Sequence, residues 1–151
     1  MESKAIEAAE FRDAQHQQWD KASVGWKKHS DLIDTAASHI SERLVELAGV
    51  AQGSRVLDVA AGYGEPSLTA AAVAGPDGKV VSTDISSEML SYGRERAAAA
   101  GLKNVEFVES EAASLDFPAE SFDAALSRFG IIFEPEAEAV AHEVCQHFAR
   151  R

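Results

Sequence analysis

The spacing of apolar residues divides the chain into an N-terminal helical part and a later part of alternating strands and helices. Before Gly49, apolar residues recur at three- and four-residue steps, the spacing of one helix face. These residues are Ile33, Ala37, Ile40, Leu44 and Leu47. Gly49 is a typical helix stop. We therefore expect an N-terminal helical segment over residues 1–48 and a second unit over residues 49–151, within one compact domain.

Short apolar runs bounded by turn residues predict four strands in the second unit, at residues 55–60, 79–84, 105–109 and 122–127. Helices are predicted between them. Pro66 suits the first turn of one helix, and Ser86 or Ser87 caps another. A last helix is predicted over residues 136–149. Strands that alternate with helices indicate an α/β fold, a Rossmann-like parallel sheet with flanking helices.

Composition limits the class of partner. The 151 residues carry a net charge of -11, and the only adjacent basic residues are Lys27 with Lys28 and Arg150 with Arg151. Because a chain this acidic repels a phosphate backbone, we expect a small-molecule substrate and no nucleic acid. With one cysteine, no apolar signal core and no apolar run long enough for a membrane span, we expect a cytoplasmic protein that inserts in no membrane.

The chemically informative stretch is a glycine turn that follows the first predicted strand. Gly62 and Gly64 let the backbone turn sharply and approach a ligand, and the N–H groups that open the next helix can meet an anion. Asp84 ends the second strand 20 residues after Gly64 (84 minus 64). An acidic residue there can accept hydrogen bonds from both ribose hydroxyls. The spacing favours a nucleoside-containing cofactor.

Two features separate this turn from a nicotinamide-binding turn. Asp58 lies inside the first strand, where the dinucleotide pattern usually has an apolar residue, and Ser67 stands where its third glycine would be. A carboxylate at position 58 can receive an ammonium group or organise the N–H donors of the turn. These features favour an amino-acid nucleoside over NAD.

Four segments in order, residues 56–64, 80–86, 105–112 and 117–133, resemble the motifs of class I S-adenosylmethionine-dependent methyltransferases. Within that family the chain is most similar to small-molecule enzymes of the quinone-biosynthesis type. The resemblance covers about two thirds of the chain. It implies a bound S-adenosyl-L-methionine and a methyl transfer by in-line displacement to a small-molecule acceptor.

The resemblance also assigns residues to the cofactor. It implies Asp58, Gly62 and Gly64 around the methionine part, Asp84 on the ribose and Ile85 on the adenine. Further positions implied for the adenine end and for the methyl donor and substrate are Glu111, Ala112, Ser127 and Arg128. Two positions depart from the family: Ala60 replaces the usual first glycine of the turn, and Glu111 replaces an aspartate. The methyl group of Ala60 leaves slightly less room in the turn. Glu111 keeps the negative charge of the aspartate that it replaces.

Residues 19–26 resemble the lid that covers the cofactor in this family. The faces of Trp19 and Trp26 can attract a sulfonium cation and exclude water. The alternative is that both tryptophans only bury helix faces. No general base is singled out, although His16 and His29 are candidates. His142, Cys145 and His147 do not share one helix face, so we expect no metal site.

Two further alternatives stay open on the sequence alone. One is a nicotinamide-dependent oxidoreductase, and the other is a non-catalytic module that keeps the cofactor-binding half of the fold. Family members continue after the last predicted helix into three more strands, so we expect an incomplete sheet here. We expect the unpaired edge of the fourth strand to drive self-association, most simply as a two-fold dimer, and the short chain alone to transfer methyl groups slowly or not at all.

Overall fold

The computed structural model describes residues 2–148 of the chain, with side chains from Glu10 onward. Its elements in chain order are α1 (Glu2–Leu47), β1 (Arg55–Val59), α2 (Ser67–Ala74), β2 (Lys79–Asp84), α3 (Ser87–Ala99), β3 (Val105–Glu109), β4 (Ala124–Leu126), a 3-10 helix (Gly130–Phe133) and α4 (Ala137–Gln146). Strands and helices alternate after α1, which confirms the predicted order.

The four strands form one sheet in the order β3-β2-β1-β4, and all three neighbouring pairs are parallel. Strand β1 therefore lies inside the sheet, with Val56 beside Val80 of β2 and Ala124 of β4. Parallel neighbours place all the strands' carboxyl ends at one edge of the sheet, where ligands of this architecture bind. The predicted Rossmann-like α/β fold is confirmed.

Consecutive residues of β1 and β2 supply both hydrophobic layers. Val56 and Val80 pack on one face with α2 and the end of α1, whereas Leu57 and Val81 pack on the other with Phe122 and α4. Because successive side chains of a strand point to opposite faces, a strand covered on both sides reads as an unbroken apolar run. This burial accounts for the apolar runs from which β1 and β2 were predicted.

The predicted N-terminal helix is one continuous helix of 46 residues. Its buried positions include Ala37, Ser41 and Val45, which recur every four residues. Leu47, predicted on the buried face, is 67% exposed, because the buried stripe passes through Val45 instead. The helix contacts α2 and α3. The division into segments 1–48 and 49–151 stays a prediction.

The structure corrects the predicted ends of the last strand and the last helix. Only Ala124–Leu126 of the predicted strand 122–127 pairs with β1. Helix α4 ends at Gln146, so Phe148 does not continue its apolar face. Phe148 instead forms a parallel bridge with Phe122, whose N–H donates to the carbonyl of His147 at 3.1 Å. Ala149, the last residue of the predicted helix, lies outside the described residues.

Replacing Leu90 by Ala tests the burial of the inner face of α3. Leu90 is fully buried, so the substitution should lower the free energy of unfolding by about 2–5 kcal/mol through lost burial and the cavity left behind. The matched control is Leu32→Ala on α1, where Leu32 is 70% exposed and the cost should stay below about 0.5 kcal/mol. Urea denaturation of both variants measures the difference, and similar costs would contradict the packing described.

Candidate cofactor-binding site

The turn after β1 is shaped by left-handed backbone conformations. Ala60, Gly62 and Gly64 have φ angles of 55°, 56° and 105°. Glycine adopts such angles freely, whereas alanine pays a steric cost of about 1–2 kcal/mol. The Ala60 methyl group also faces Gly130, where an added Cβ would lie 2.3 Å from it. The departure at position 60 is thus accommodated by a glycine in the loop after β4.

Asp84 joins this turn to the end of β2. Its Oδ2 accepts a hydrogen bond from the Gly62 N–H at 2.8 Å, and its Oδ1 accepts one from the Ser86 N–H at 2.9 Å. Burial raises the pKa of Asp84. The hydrogen bonds from these N–H groups lower it, but their effect is smaller than that of burial. Each carboxylate oxygen keeps a further lone pair for a ligand. Asp84 therefore holds the turn in place while it faces the cleft described below.

Asp58 lies deeper than the sequence indicated. Its carboxyl group is fully buried and accepts a hydrogen bond from Ser67 Oγ at 2.6 Å, while its Oδ1 has no partner among the described residues. Burial raises the pKa of Asp58 to about 7, although the bond from Ser67 lowers it. Asp58 thus fixes the start of α2 below the turn and does not line the cleft.

A cleft that is partly open to solvent lies at the carboxyl edge of the sheet. Most residues that the sequence assigned to the cofactor or the lid line it. These are Trp19, Trp26, Ala60, Gly62, Asp84, Ile85, Glu111, Ala112 and Arg128. Most of the residues that the sequence assigned therefore meet at one concave site, drawn from five segments of the chain.

Three assigned residues, Asp58, Gly64 and Ser127, do not line the cleft. A Cβ at position 64 would lie 3.5 Å from the Gly93 Cα and 3.4 Å from Leu68, so Gly64 faces helices rather than a ligand. Ser127 Oγ is buried without a partner among residues 2–148, and it would lie 3.3 Å from a Cβ at position 130. These three residues therefore lie behind the residues that line the cleft.

Helix α1 crosses the cleft and is attached to its far side. Asp20 accepts a hydrogen bond from Ser86 Oγ at 2.6 Å, and Arg12 forms an ion pair with Glu111 at 3.6 Å. The Trp19 ring meets the Phe133 ring edge-on, with centroids 5.1 Å apart. Polar and aromatic contacts thus join the helix to both rims of the cleft. This geometry is compatible with a lid and with simple burial of both tryptophans.

Tyr63, which sequence reasoning did not single out, connects the turn to α1. Its hydroxyl donates to Asp34 at 2.8 Å and accepts from Arg128 at 3.1 Å, and its ring lies 5.5 Å from the Trp26 ring. Arg96 donates to the Tyr63 carbonyl and ion-pairs with Asp34. The position of Tyr63 between two turn glycines was the available signal, but its partners lie far away in sequence.

The loop after β4 supplies another wall that was not predicted in detail. Phe129, Phe133 and Glu134 line the cleft beside Phe11 of α1. Burial raises the pKa of Glu134. The charge of Arg12 lowers this pKa, whereas the charges of Glu111 and Asp84 raise it further. The wall is therefore mostly aromatic with one acidic group. Apolar residues directly after the fourth strand were its sequence signal.

The histidines and the cysteine lie away from the main cleft. His16 does not line it; its Nε2 lies 3.4 Å from the Asp20 carboxylate on the same helix, and His29 is exposed on α1. Within residues 2–148 no group of three or more His, Cys, Asp or Glu side chains is arranged to hold a metal ion. No helix in that part of the chain is both long enough and apolar enough to cross a membrane.

Comparison with known proteins shows the family. A family model described as a methyltransferase domain matches residues 56–150. The ubiquinone/menaquinone biosynthesis C-methyltransferase UbiE of Ectopseudomonas mendocina is 43% identical over 104 residues, which cover 68% of this chain and 41% of that protein. The chain belongs to the class I S-adenosylmethionine-dependent methyltransferases, as its motifs predicted. It spans about two fifths of the length of the curated relatives it matches.

Solved structures agree with this assignment. A SAM-dependent methyltransferase from Aquifex aeolicus is 29% identical, with a TM-score of 0.66 over 72% of this chain and 57% of that one. Phosphoethanolamine N-methyltransferase 1 of Haemonchus contortus, solved with phosphoethanolamine and S-adenosylhomocysteine, has a TM-score of 0.71 over 95% of this chain and 31% of that one. At 22% identity, the second likeness supports the fold alone.

Replacing Asp58 by Asn tests the buried carboxyl group. Its pKa rises from 3.8 to about 7 on folding, so between these values the folded chain holds a proton that the unfolded chain has lost. Stability from this group is therefore full below pH about 4 and falls as the pH rises towards 7. The free energy of unfolding of the parent, minus that of Asp58→Asn, should increase as the pH is lowered from 7 to 4.

Chemical denaturation at several pH values measures this difference. The matched control is Asp77→Asn in the exposed turn before β2, for which the same difference should not rise towards acid pH. A flat profile for Asp58→Asn would show that the Asp58 carboxyl titrates in its ordinary range.

Proposed function

We propose that this chain binds S-adenosylmethionine in the cleft at the carboxyl edge of the sheet, for methyl transfer to a small-molecule acceptor. The observation that carries the proposal is the Asp84 carboxylate, held by the N–H groups of Gly62 and Ser86 at the wall of the cleft. Family membership adds the reaction class. The relatives' names, which describe C-methyltransferases, support an acceptor that is a small molecule.

The proposed orientation of the cofactor follows from the chemistry of the walls. Asp84 accepts hydrogen bonds from the ribose hydroxyls, because a carboxylate is the strongest acceptor available there. Ile85 and Ala112 offer apolar faces to the adenine, and Glu111 lies beside them as an acceptor for its amino group. The turn over residues 60–62 then faces the methionine part. Asp58 acts from behind the turn by fixing α2 through Ser67.

The aromatic side chains suit a cationic sulfur. Trp19, Trp26, Phe129 and Phe133 line the cleft, and aromatic faces attract a cation by about 0.5–2 kcal/mol. The bound cofactor supplies an already activated methyl group, so the protein's task is to align the acceptor and exclude water. The same rings favour an apolar or aromatic acceptor. Neither His16 nor His29 lines the main cleft, so we assign no general base.

Self-association stays a prediction. Beyond Phe122, which bridges Phe148, no further strand pairs with the outer edge of β4 among residues 2–148. An open sheet edge can recruit a second copy of the chain. Light scattering at low micromolar concentration addresses this point separately from cofactor binding.

Replacing Asp84 by Ala should weaken the binding of S-adenosylhomocysteine by on the order of 1.5–3 kcal/mol, because a charge-assisted pair of hydrogen bonds is lost. Isothermal titration measures the change. The control is Asp77→Ala at the opposite end of β2, which should bind like the parent. Unchanged binding by Asp84→Ala would refute the ribose assignment. Binding of NADH but not of S-adenosylhomocysteine by the parent would favour a nicotinamide-dependent enzyme.

If α1 is a lid, its central part must open to admit the cofactor, so the amides of residues 11–26 should be better protected from hydrogen exchange when S-adenosylhomocysteine is bound. The buried amides of β1 serve as an internal reference and should change little. Hydrogen exchange read by mass spectrometry, with and without S-adenosylhomocysteine, measures both. Equal protection of residues 11–26 in the two states would favour the alternative, in which Trp19 and Trp26 only pack.

A further inference from the structure

Arg128 is a buried cation with neutral partners. The residue is 8% exposed. Its Nη1 donates to Ser41 Oγ at 2.9 Å and to the Ala37 carbonyl at 3.5 Å, and its Nη2 donates to the Tyr63 hydroxyl at 3.1 Å. Among the described residues it forms no ion pair. The buried Asp58 carboxyl acts on it only through space, without a direct ion pair. The guanidinium, which lines the cleft, can therefore still take a carboxylate ligand there.

The remaining donors of Arg128 suit a carboxylate. A guanidinium group has five N–H donors, and three hydrogen bonds are formed here, which leaves two (5 minus 3). The free donors are Nε–H and one N–H of Nη2. A guanidinium with free N–H donors forms charge-assisted hydrogen bonds to a carboxylate. Because Ser41, Ala37 and Tyr63 already hold the side chain, little further ordering is needed to bind.

The other charged groups of the cleft do not offer such a site. Arg12, the second arginine that lines it, is ion-paired with Glu111. The remaining charged lining residues, Glu65, Asp84 and Glu134, are acidic and repel a carboxylate. Of the two arginines that line the cleft within the described residues, Arg128 is therefore the one that is not paired with an acidic side chain and can bind an anionic ligand.

The location of Arg128 indicates which carboxylate. Its Tyr63 partner belongs to the turn that faces the methionine part of the cofactor, whereas Asp84 and Glu111 lie at the nucleoside part. We propose that Arg128 binds the α-carboxylate of the methionine part of S-adenosylmethionine, an inference that rests on the cofactor binding proposed above. It thereby selects cofactors that carry an intact amino-acid tail. An acceptor carboxylate is the rival ligand, and the experiment below contains no acceptor.

The test compares two ligands that share the thioadenosine. S-Adenosylhomocysteine carries the carboxylate, and 5′-methylthioadenosine lacks the amino-acid tail. The parent should bind the first at least about tenfold more tightly, since charge-assisted hydrogen bonds to the carboxylate are lost with the amino-acid tail. Arg128→Met should lose most of that preference by weakening S-adenosylhomocysteine at least about tenfold, while binding of methylthioadenosine changes by less than about threefold. Arg128→Lys should recover part of the preference, because it keeps the charge but not the paired donors.

Arg12→Met is the matched control, because Arg12 lies at the nucleoside end that both ligands share. It should change both affinities by a similar factor and leave their ratio intact. A purely structural role for Arg128 would do the same, since a loosened α1 weakens both ligands together. Equal weakening by Arg128→Met would therefore overturn the inference, as would equal binding of the two ligands by the parent.

A third ligand tests the inference on the parent alone, so that the result does not depend on how well Arg128→Met folds. Decarboxylated S-adenosylhomocysteine keeps the ammonium group and lacks only the carboxylate. The parent should bind it at least about tenfold more weakly than the intact ligand, and a smaller difference contradicts the inference. If the parent binds none of the three ligands, the proposed cofactor function itself fails. If it binds them all alike, only the role of Arg128 fails.

Discussion

The hydrogen bonds from Gly62 and Ser86 to the Asp84 carboxylate are the interaction on which the site depends. They join the ends of β1 and β2 at the carboxyl edge of the sheet and fix a turn in which Ala60 and Gly62 are left-handed. A carboxylate that accepts two backbone N–H bonds holds the turn while keeping lone pairs for a ligand. One side chain thus both shapes the cleft and forms part of its wall.

A second constraint is the polar network beneath α1. Tyr63 and Arg128 bring the turn and the loop after β4 into contact with Asp34 and Ser41 of the helix. Because the network is buried, its members are held in one arrangement and are costly to leave without partners. The N-terminal helix therefore contributes to the cleft in two ways. Its last half supports the floor through this network, and its first half crosses the opening at Arg12, Trp19 and Asp20.

The accuracy of the sequence predictions followed how local the signals were. β1, β2 and β3 were predicted almost residue for residue, because short apolar runs bounded by turn residues are local signals. The Ser86 cap was one of two serines considered, and the structure shows its Oγ accepting from Met89 N–H at 3.1 Å. The end of α4 was wrong because the apolar spacing of Val140, Val144 and Phe148 suits a helix, whereas a bridge to Phe122, distant in sequence, decides the conformation of Phe148.

From the sequence alone came the parallel α/β fold, the family and nine of the residues that line the cleft. Those features depend on strand periodicity and on motifs at strand ends, which parallel topology brings to one edge. Only the tertiary structure decided that Asp58, Gly64 and Ser127 lie behind the walls and that Arg128 is held by α1 and Tyr63. The physical reason is that burial and the direction of a side chain depend on packing between elements dozens of residues apart, which no local pattern encodes.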